Sequence, residues 1–363
     1  MNGKRYLNIY EEVRSDIIAG RYRKGAKLPS KRVMAESMGV SVITVEHAYE
    51  LLAEEGYISP REKSGYFVIF DDRDVYIPST HIHETESPDF FADNVNRKSE
   101  AGKVEFSYSI YARTVRRVLS EYDSYILERS PQKGDLRFRK VLCDYLSRSR
   151  RISVTPEQII IGAGAEYLYG LIVQTLGRNI AYGIESPSYQ KIAKVYEAGG
   201  ADIEMLKLTH DGIDSRRLWA GKMHVLHITP YRSFPSGVTA SASKKREYLK
   251  WSSKTDSIIV EDDFESEFTP SRKPEETLFS IDTEGRVIYV NTFTKTIGSF
   301  VRCAYMVLPM RLLDRFEERV GFYECPVPTL QQLVLAELLE SGDFERHINR
   351  VRRHNREAVN GSQ

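Results

Sequence analysis

Over the first seventy positions, apolar residues recur at helical spacing and then switch to short runs. Tyr6, Ile9, Tyr10, Val13, Ile17 and Ile18 make one helical stripe, closed by Gly20. Val33, Met34, Ala35 and Met38 mark a short second helix; Ser30, after Pro29, is placed to cap its start, and Gly39 ends it. Val40-Ser41 is a tight turn, and Ser41 caps a third helix running to about Glu54. Its buried face is Val45, Ala48, Tyr49, Leu51 and Leu52. Beyond Gly56, Tyr57-Ile58 and Tyr66-Phe67-Val68-Ile69 flank Arg61-Glu62-Lys63-Ser64-Gly65, which predicts a hairpin with a basic polar tip.

Residues 71–103 lose this periodicity. Asp71-Asp72-Arg73-Asp74, Pro78-Ser79-Thr80 and Pro88 predict a solvated linker. From Val104 the pattern alternates between apolar runs and helical stripes. Ile159-Ile160-Ile161 is a short buried strand ending at Gly162-Ala163-Gly164-Ala165, and a helix with Leu168, Leu171, Ile172 and Leu176 follows. Val225–Ile228, Ser257–Val260 and Val287–Val290 are further strands. Such runs, separated by helical stretches, predict a parallel sheet covered on both faces. The expected organisation is therefore a small α+β unit over residues 1–70, a linker over 71–103 and a large α/β unit over 104–363.

Composition adds limits. The 363 residues suit about two or three domains. A net charge of +1 means that any nucleic-acid contact must come from a local basic patch. Cys143, Cys303 and Cys325 have neither disulfide nor metal spacing and fit a reducing compartment. His81 and His83 lack a second ligand pair, so no metal site is expected. The N-terminus has no apolar signal core, and no run reaches the ~18 apolar residues of a membrane helix. A cytoplasmic protein is expected.

The chemistry falls at strand ends. Helix, short helix, Gly turn, helix and basic hairpin is an arrangement that sets one helix in a DNA major groove with a wing over the backbone. Ligands of a parallel sheet bind at its carboxyl edge. Gly164-Ala165 can open a helix with bare amides, an anion site. Asp262, Lys295 and Arg302 lie near the ends of the later strands, with Thr292 and Thr294 beside the lysine. Pyridoxal phosphate (PLP) needs these types: an amine for its aldehyde, a carboxylate for its pyridine nitrogen, and an arginine with helix amides and hydroxyls for its phosphate.

Two resemblances sharpen this. LPSKRVMAESMGVSVITVEHAYELLAEEGYI, with GYFV after the wing, resembles the GntR family of bacterial regulators over residues 6–69. It implies DNA contacts from Arg32, Ser41, Thr44, Ser64 and Gly65; Lys63 can neutralise a phosphate. Val42 and Glu46 stand where such recognition helices often carry arginines, and His47 is the nearest substitute. Residues 104–357 are similar to aspartate-aminotransferase-like, fold-type-I PLP proteins, specifically the MocR branch of the GntR regulators. The strings are PQKGDLRFRKVLCDYL, PEQIIIGAGAEYL, ESPSY, ITPYRSFPSG, IIVEDDFESEF and NTFTKTIGSFVRCAYMVLP. This implies Lys295 as the Schiff-base lysine and Asp262 as partner of the pyridine nitrogen. Arg302, Gly164 and Ala165 would hold the phosphate, helped by Thr292 and Thr294, with Tyr189 near the pocket.

The chain also departs from the pattern. Phe264 replaces a common tyrosine, Ala163 a Ser or Thr, and Asn291 a Gly, while Arg232 and Phe234 occupy a loop that is elsewhere polar. The helical pattern Phe344, Ile348, Val351 stops at Asn360-Gly361-Ser362-Gln363, whereas relatives continue through a small domain bearing the arginine for a substrate α-carboxylate. The resemblance thus implies a large domain without that small one. The expected function is transcriptional regulation. A homodimer would bind a double-stranded DNA operator, and its aminotransferase-like domain would sense PLP or a PLP–amino compound adduct. A PLP-dependent aminotransferase, or a regulator that binds DNA without PLP, stands beside it.

Overall fold

A computed structural model describes residues 5–61, 64–70, 104–269 and 276–360. The wing-tip residue Lys63 and the predicted linker, with His81 and His83, lie outside the described residues. The chain divides into two compact units, Met1–Arg97 and Lys98–Gln363.

In the first unit, α1 (Arg5–Ile18), α2 (Lys31–Met38) and α3 (Val42–Glu54) precede a hairpin of β1 (Ile58–Arg61) and β2 (Gly65–Val68). The caps are those expected. The Ser30 hydroxyl accepts from the Val33 amide at 3.3 Å, and Ser41 from that of Thr44 at 3.2 Å. Gly39 takes a left-handed conformation, φ 62°, that lets α2 stop and the chain turn into α3. Val45, Ala48, Tyr49 and Leu52 of α3 bury against Ile9, Val13 and Ile17 of α1, closing one core with Ile58 and Val68. Two expected core positions differ. Ile18, in the last turn of α1, is exposed, and Leu51 is only half-buried.

The second unit opens with α4 (Tyr108–Tyr122) and α5 (Leu136–Arg150), followed by β3 (Ile159–Gly162), α6 (Ala165–Leu176), β4 (Ala181–Ser186) and α7 (Gln190–Ala198). Next come β5 (Asp202–Thr209), β6 (Gly212–Ile213), α8 (Ser215–Ala220), β7 (Val225–Ile228), α9 (Ala242–Thr255) and β8 (Ile258–Asp262). Then follow α10 (Leu278–Ile281), β9 (Val287–Thr292), β10 (Ala304–Val307), α11 (Leu313–Val320), α12 (Thr329–Glu340) and α13 (Asp343–Asn360). Among the described residues the strands make one eight-stranded sheet, ordered β3-β10-β9-β8-β7-β4-β5-β6. β9, β8, β7, β4 and β5 pair in parallel.

β10 departs from the sequence expectation of a parallel sheet. It runs antiparallel to both β3 and β9, and β6 runs antiparallel to β5. The sheet is therefore mixed and mostly parallel. Side-chain alternation covers both faces. Ile160, Ile288, Val290 and Met306 meet α6, α7 and α11 on one side, whereas Ile159, Ile161, Tyr289 and Tyr305 meet α5, α12 and α13 on the other. Tyr248 and Trp251 of α9 close a further cluster over Leu226, Ile228 and Ile259.

Candidate functional site

The sheet's carboxyl edge gathers residues that lie far apart in sequence. Asp262 ends β8 and Thr292 ends β9. The chain then turns through Lys295 and returns into β10, closed by the Phe293 amide donating to the Cys303 carbonyl at 3.0 Å. That return carries Arg302 back beside the end of β3. There Gly164, at φ 97° and ψ 166°, starts α6 in a conformation nearly restricted to glycine. A Cβ at Gly164 would lie 3.2 Å from Arg302 Nη2, so glycine also permits the guanidinium's close approach. All eight residues expected to serve the cofactor line one cavity of about 780 Å³: Gly164, Ala165, Tyr189, Asp262, Thr292, Thr294, Lys295 and Arg302.

Asp262 is buried and held from behind. The Tyr169 hydroxyl donates to its Oδ2, and His227 Nε2 lies 3.7 Å from the same oxygen. His227 Nδ1 in turn meets the Tyr196 hydroxyl at 2.7 Å. Sequence reasoning missed these supports. Tyr169 follows Ala165 by one helical turn, and His227 is the polar residue in an otherwise apolar strand. Each of these positions fits an ordinary core residue equally well, so the pattern alone does not single them out.

Lys295 Nζ donates to Glu265 Oε1 at 2.9 Å and lies 5.6 Å from the centre of the Phe264 ring. Its side chain is 49% exposed toward the cavity and solvent. The hydroxyls of Thr292 and Thr294 donate to the chain's own carbonyls, at Cys303 (3.3 Å) and Val301 (3.0 Å). At the mouth, the Tyr189 and Phe234 rings meet edge to face at 6.4 Å. In β4, buried Glu185 accepts from the Thr229 amide at 3.2 Å and the Ser233 hydroxyl at 2.6 Å. Burial raises its carboxyl to about 7, against the pull of those two hydrogen bonds.

In the first unit, Arg32 and His47 are exposed, the His47 and Tyr6 rings meeting edge to face with their centres 6.2 Å apart. The hydroxyls of Ser41 and Thr44 share a 2.7 Å hydrogen bond. Ser64 is exposed at the turn before β2, and Gly65 opens β2 at φ 104°. Lys31 of α2 forms an ion pair with Glu46 of α3, which holds the Glu46 carboxyl below its ordinary range.

Comparison with known proteins agrees with both halves. Residues 5–68 match the model of bacterial regulatory proteins of the gntR family, and residues 120–359 match aminotransferase class I and II. The uncharacterized HTH-type transcriptional regulator YdeL of Bacillus subtilis is 32% identical over 357 residues, 96% of this chain and 76% of that protein. The chain belongs to the gntR-family regulators of the MocR type, which join a helix-turn-helix to an aminotransferase-like domain. The probable rhizopine catabolism regulatory protein MocR of Rhizobium meliloti is 26% identical over 96% of this chain and 74% of its own length. Among solved structures, LysN, an alpha-aminoadipate aminotransferase of Thermus thermophilus, superposes with a TM-score of 0.63 at 24% identity. It covers 70% of this chain and 67% of that one, and shows the shared fold. Like its relatives, this MocR-type regulator is a DNA-binding transcriptional regulator.

Proposed function

We propose that this regulator holds PLP, or PLP joined to an amino compound, in the α/β cavity, and that occupancy changes its affinity for operator DNA. The observation that supports this most is the convergence of a buried carboxylate, a primary amine, a guanidinium and a glycine-started helix on one cavity. The residues fit the group. The Tyr169 and His227 contacts fall on Asp262 Oδ2, leaving Oδ1 to accept a pyridinium N–H. Arg302 and the first amides of α6 would bind the phosphate dianion, where helix dipole and guanidinium act together. Tyr189 would cover the ring from the mouth. Bound there, PLP supplies an aldehyde that condenses with amines and a ring that withdraws electrons. Lys295 offers the amine once it leaves Glu265. LysN was solved with a phosphopyridoxyl-leucine compound, which fits the same chemistry on the same fold.

On the DNA side, α3 would enter the major groove while Arg32, Ser41, Thr44 and Ser64 meet phosphates, with Lys63 at the wing tip. Two copies reading paired half-sites make the homodimer our reading. A ligand that prefers one domain arrangement then shifts DNA affinity by its differential affinity for the two arrangements. Among the described residues no helix is long and apolar enough to cross a membrane. We read the regulator as cytoplasmic.

The test is one titration series on the full chain. PLP is expected to produce a visible absorbance band that Lys295→Ala abolishes, and to change retention of a duplex enriched from a random pool. Arg32→Ala should weaken retention and lower the salt slope by about one. Retention without any lysine-dependent band would leave a DNA-binding protein that has lost PLP. A band with amino-acid turnover would favour the aminotransferase reading.

A further inference from the structure

The outward face of α3 is unusual for a helix that enters a DNA groove. Val42 and Ile43 are 41% and 64% exposed, although the core of the unit is complete without them. One turn further, the same two rows continue as Glu46 and His47. Glu46 is bound to Lys31, so its carboxylate enters the groove already paired. Both rows thus lack Lys and Arg over their first two turns.

The exposed apolar pair Val42 and Ile43, at the start of that face, has one complementary feature to meet in the groove. Guanine presents only acceptors at its major-groove edge, and a valine or isoleucine placed there strips their water without replacing the hydrogen bonds. Thymine alone presents a methyl group. We infer that Val42 and Ile43 read the C5-methyl groups of neighbouring thymines, so that the half-site carries A·T pairs where an arginine-bearing helix would require guanine. Val42 and Ile43 are the specificity-determining pair; phosphate contacts set affinity elsewhere. This rests on the DNA-binding reading of the first unit.

The experiment changes the DNA rather than the protein. Duplexes are enriched from a random pool by the full chain, and each recurrent thymine is replaced in turn by deoxyuridine, which differs only in lacking the methyl. At fixed salt, removing a contacted methyl should weaken binding about fourfold, as expected for one buried methyl-sized group. Val42→Ala and Ile43→Ala should each abolish the uracil penalty at one position, and Val42→Arg should move the preference at its position to guanine. Retention of thymine and uracil duplexes with equal affinity would overturn the inference while leaving DNA binding intact. Retention of no duplex at any sequence would overturn the DNA-binding reading and this one with it.

Discussion

Lys295 has two suitors. Its amine is paired with Glu265 at 2.9 Å, and any aldehyde entering the cavity must compete with that carboxylate. Lys295 is half exposed and Glu265 only partly covered, so the pair is worth at most about 1 kcal/mol. Glu265→Gln is therefore expected to tighten PLP up to about fivefold, read from titration of the visible band. Weaker binding in the variant would mean that Glu265 aims the amine instead. Gly164 sits at φ 97°, where any side chain is strained by roughly 1–3 kcal/mol and where a Cβ meets Arg302. Gly164→Ala should lower both the melting point and the affinity for inorganic phosphate, measured by calorimetry; loss of neither would remove Gly164 from the anion cradle. At this scale the motif residues were legible because their types are chemically scarce at strand ends. The support behind Asp262 was not. Tyr169 and His227 also read as ordinary core positions in a helix and a strand, and only the packing of α6 over β7 and β8 brings them to one carboxylate.

The helix-turn-helix depends on two serines. Ser30 and Ser41 each accept an amide hydrogen at a helix start, and replacing such a cap with alanine costs about 1 kcal/mol. Ser41→Ala is expected to speed amide exchange in the first turn of α3, leaving the large unit unchanged; unaltered exchange would show that water caps the turn equally well. These elements could be read from the chain because capping and 3.6-residue periodicity are local. Strand direction is not. Ala304-Tyr305-Met306-Val307 is as apolar as a parallel core strand, and its antiparallel run follows from the short return between Thr292 and Ala304, which leaves no room for a crossover helix. β5 alternates weakly near the sheet edge and β6 has only two residues, so neither gave a strand pattern.

The α/β unit buries acids that should set how the molecule answers pH. Burial raises the Glu185 carboxyl to about 7, and burial with neighbouring Asp263 raises Glu261 to about 8; Glu267 is raised too, although Arg150 opposes it. A raised carboxyl binds its proton more tightly in the folded chain than in the unfolded one, whose ordinary value is 4.5. Its contribution is then full below that value and is lost as pH climbs toward about 7 for Glu185 and about 8 for Glu261. His347, lowered by burial, works the other way, but one group faces three. Asp211, Glu247, Glu317 and Asp343 have lowered carboxyls that weaken the fold only at still lower pH. The two effects place greatest stability near pH ~5 rather than at neutrality. Both tryptophans, Trp219 and buried Trp251, lie in this unit, so a tryptophan-fluorescence melt reports on it alone. The midpoint should fall as pH rises from about 5 to 8, and Glu185→Gln should remove part of that slope, on the order of a few kcal/mol. Glutamine keeps an oxygen for the Thr229 amide and the Ser233 hydroxyl, so the variant tests the charge and not the hydrogen bonds. A midpoint that rises with pH across that interval would mean the buried acids ionise freely within the fold.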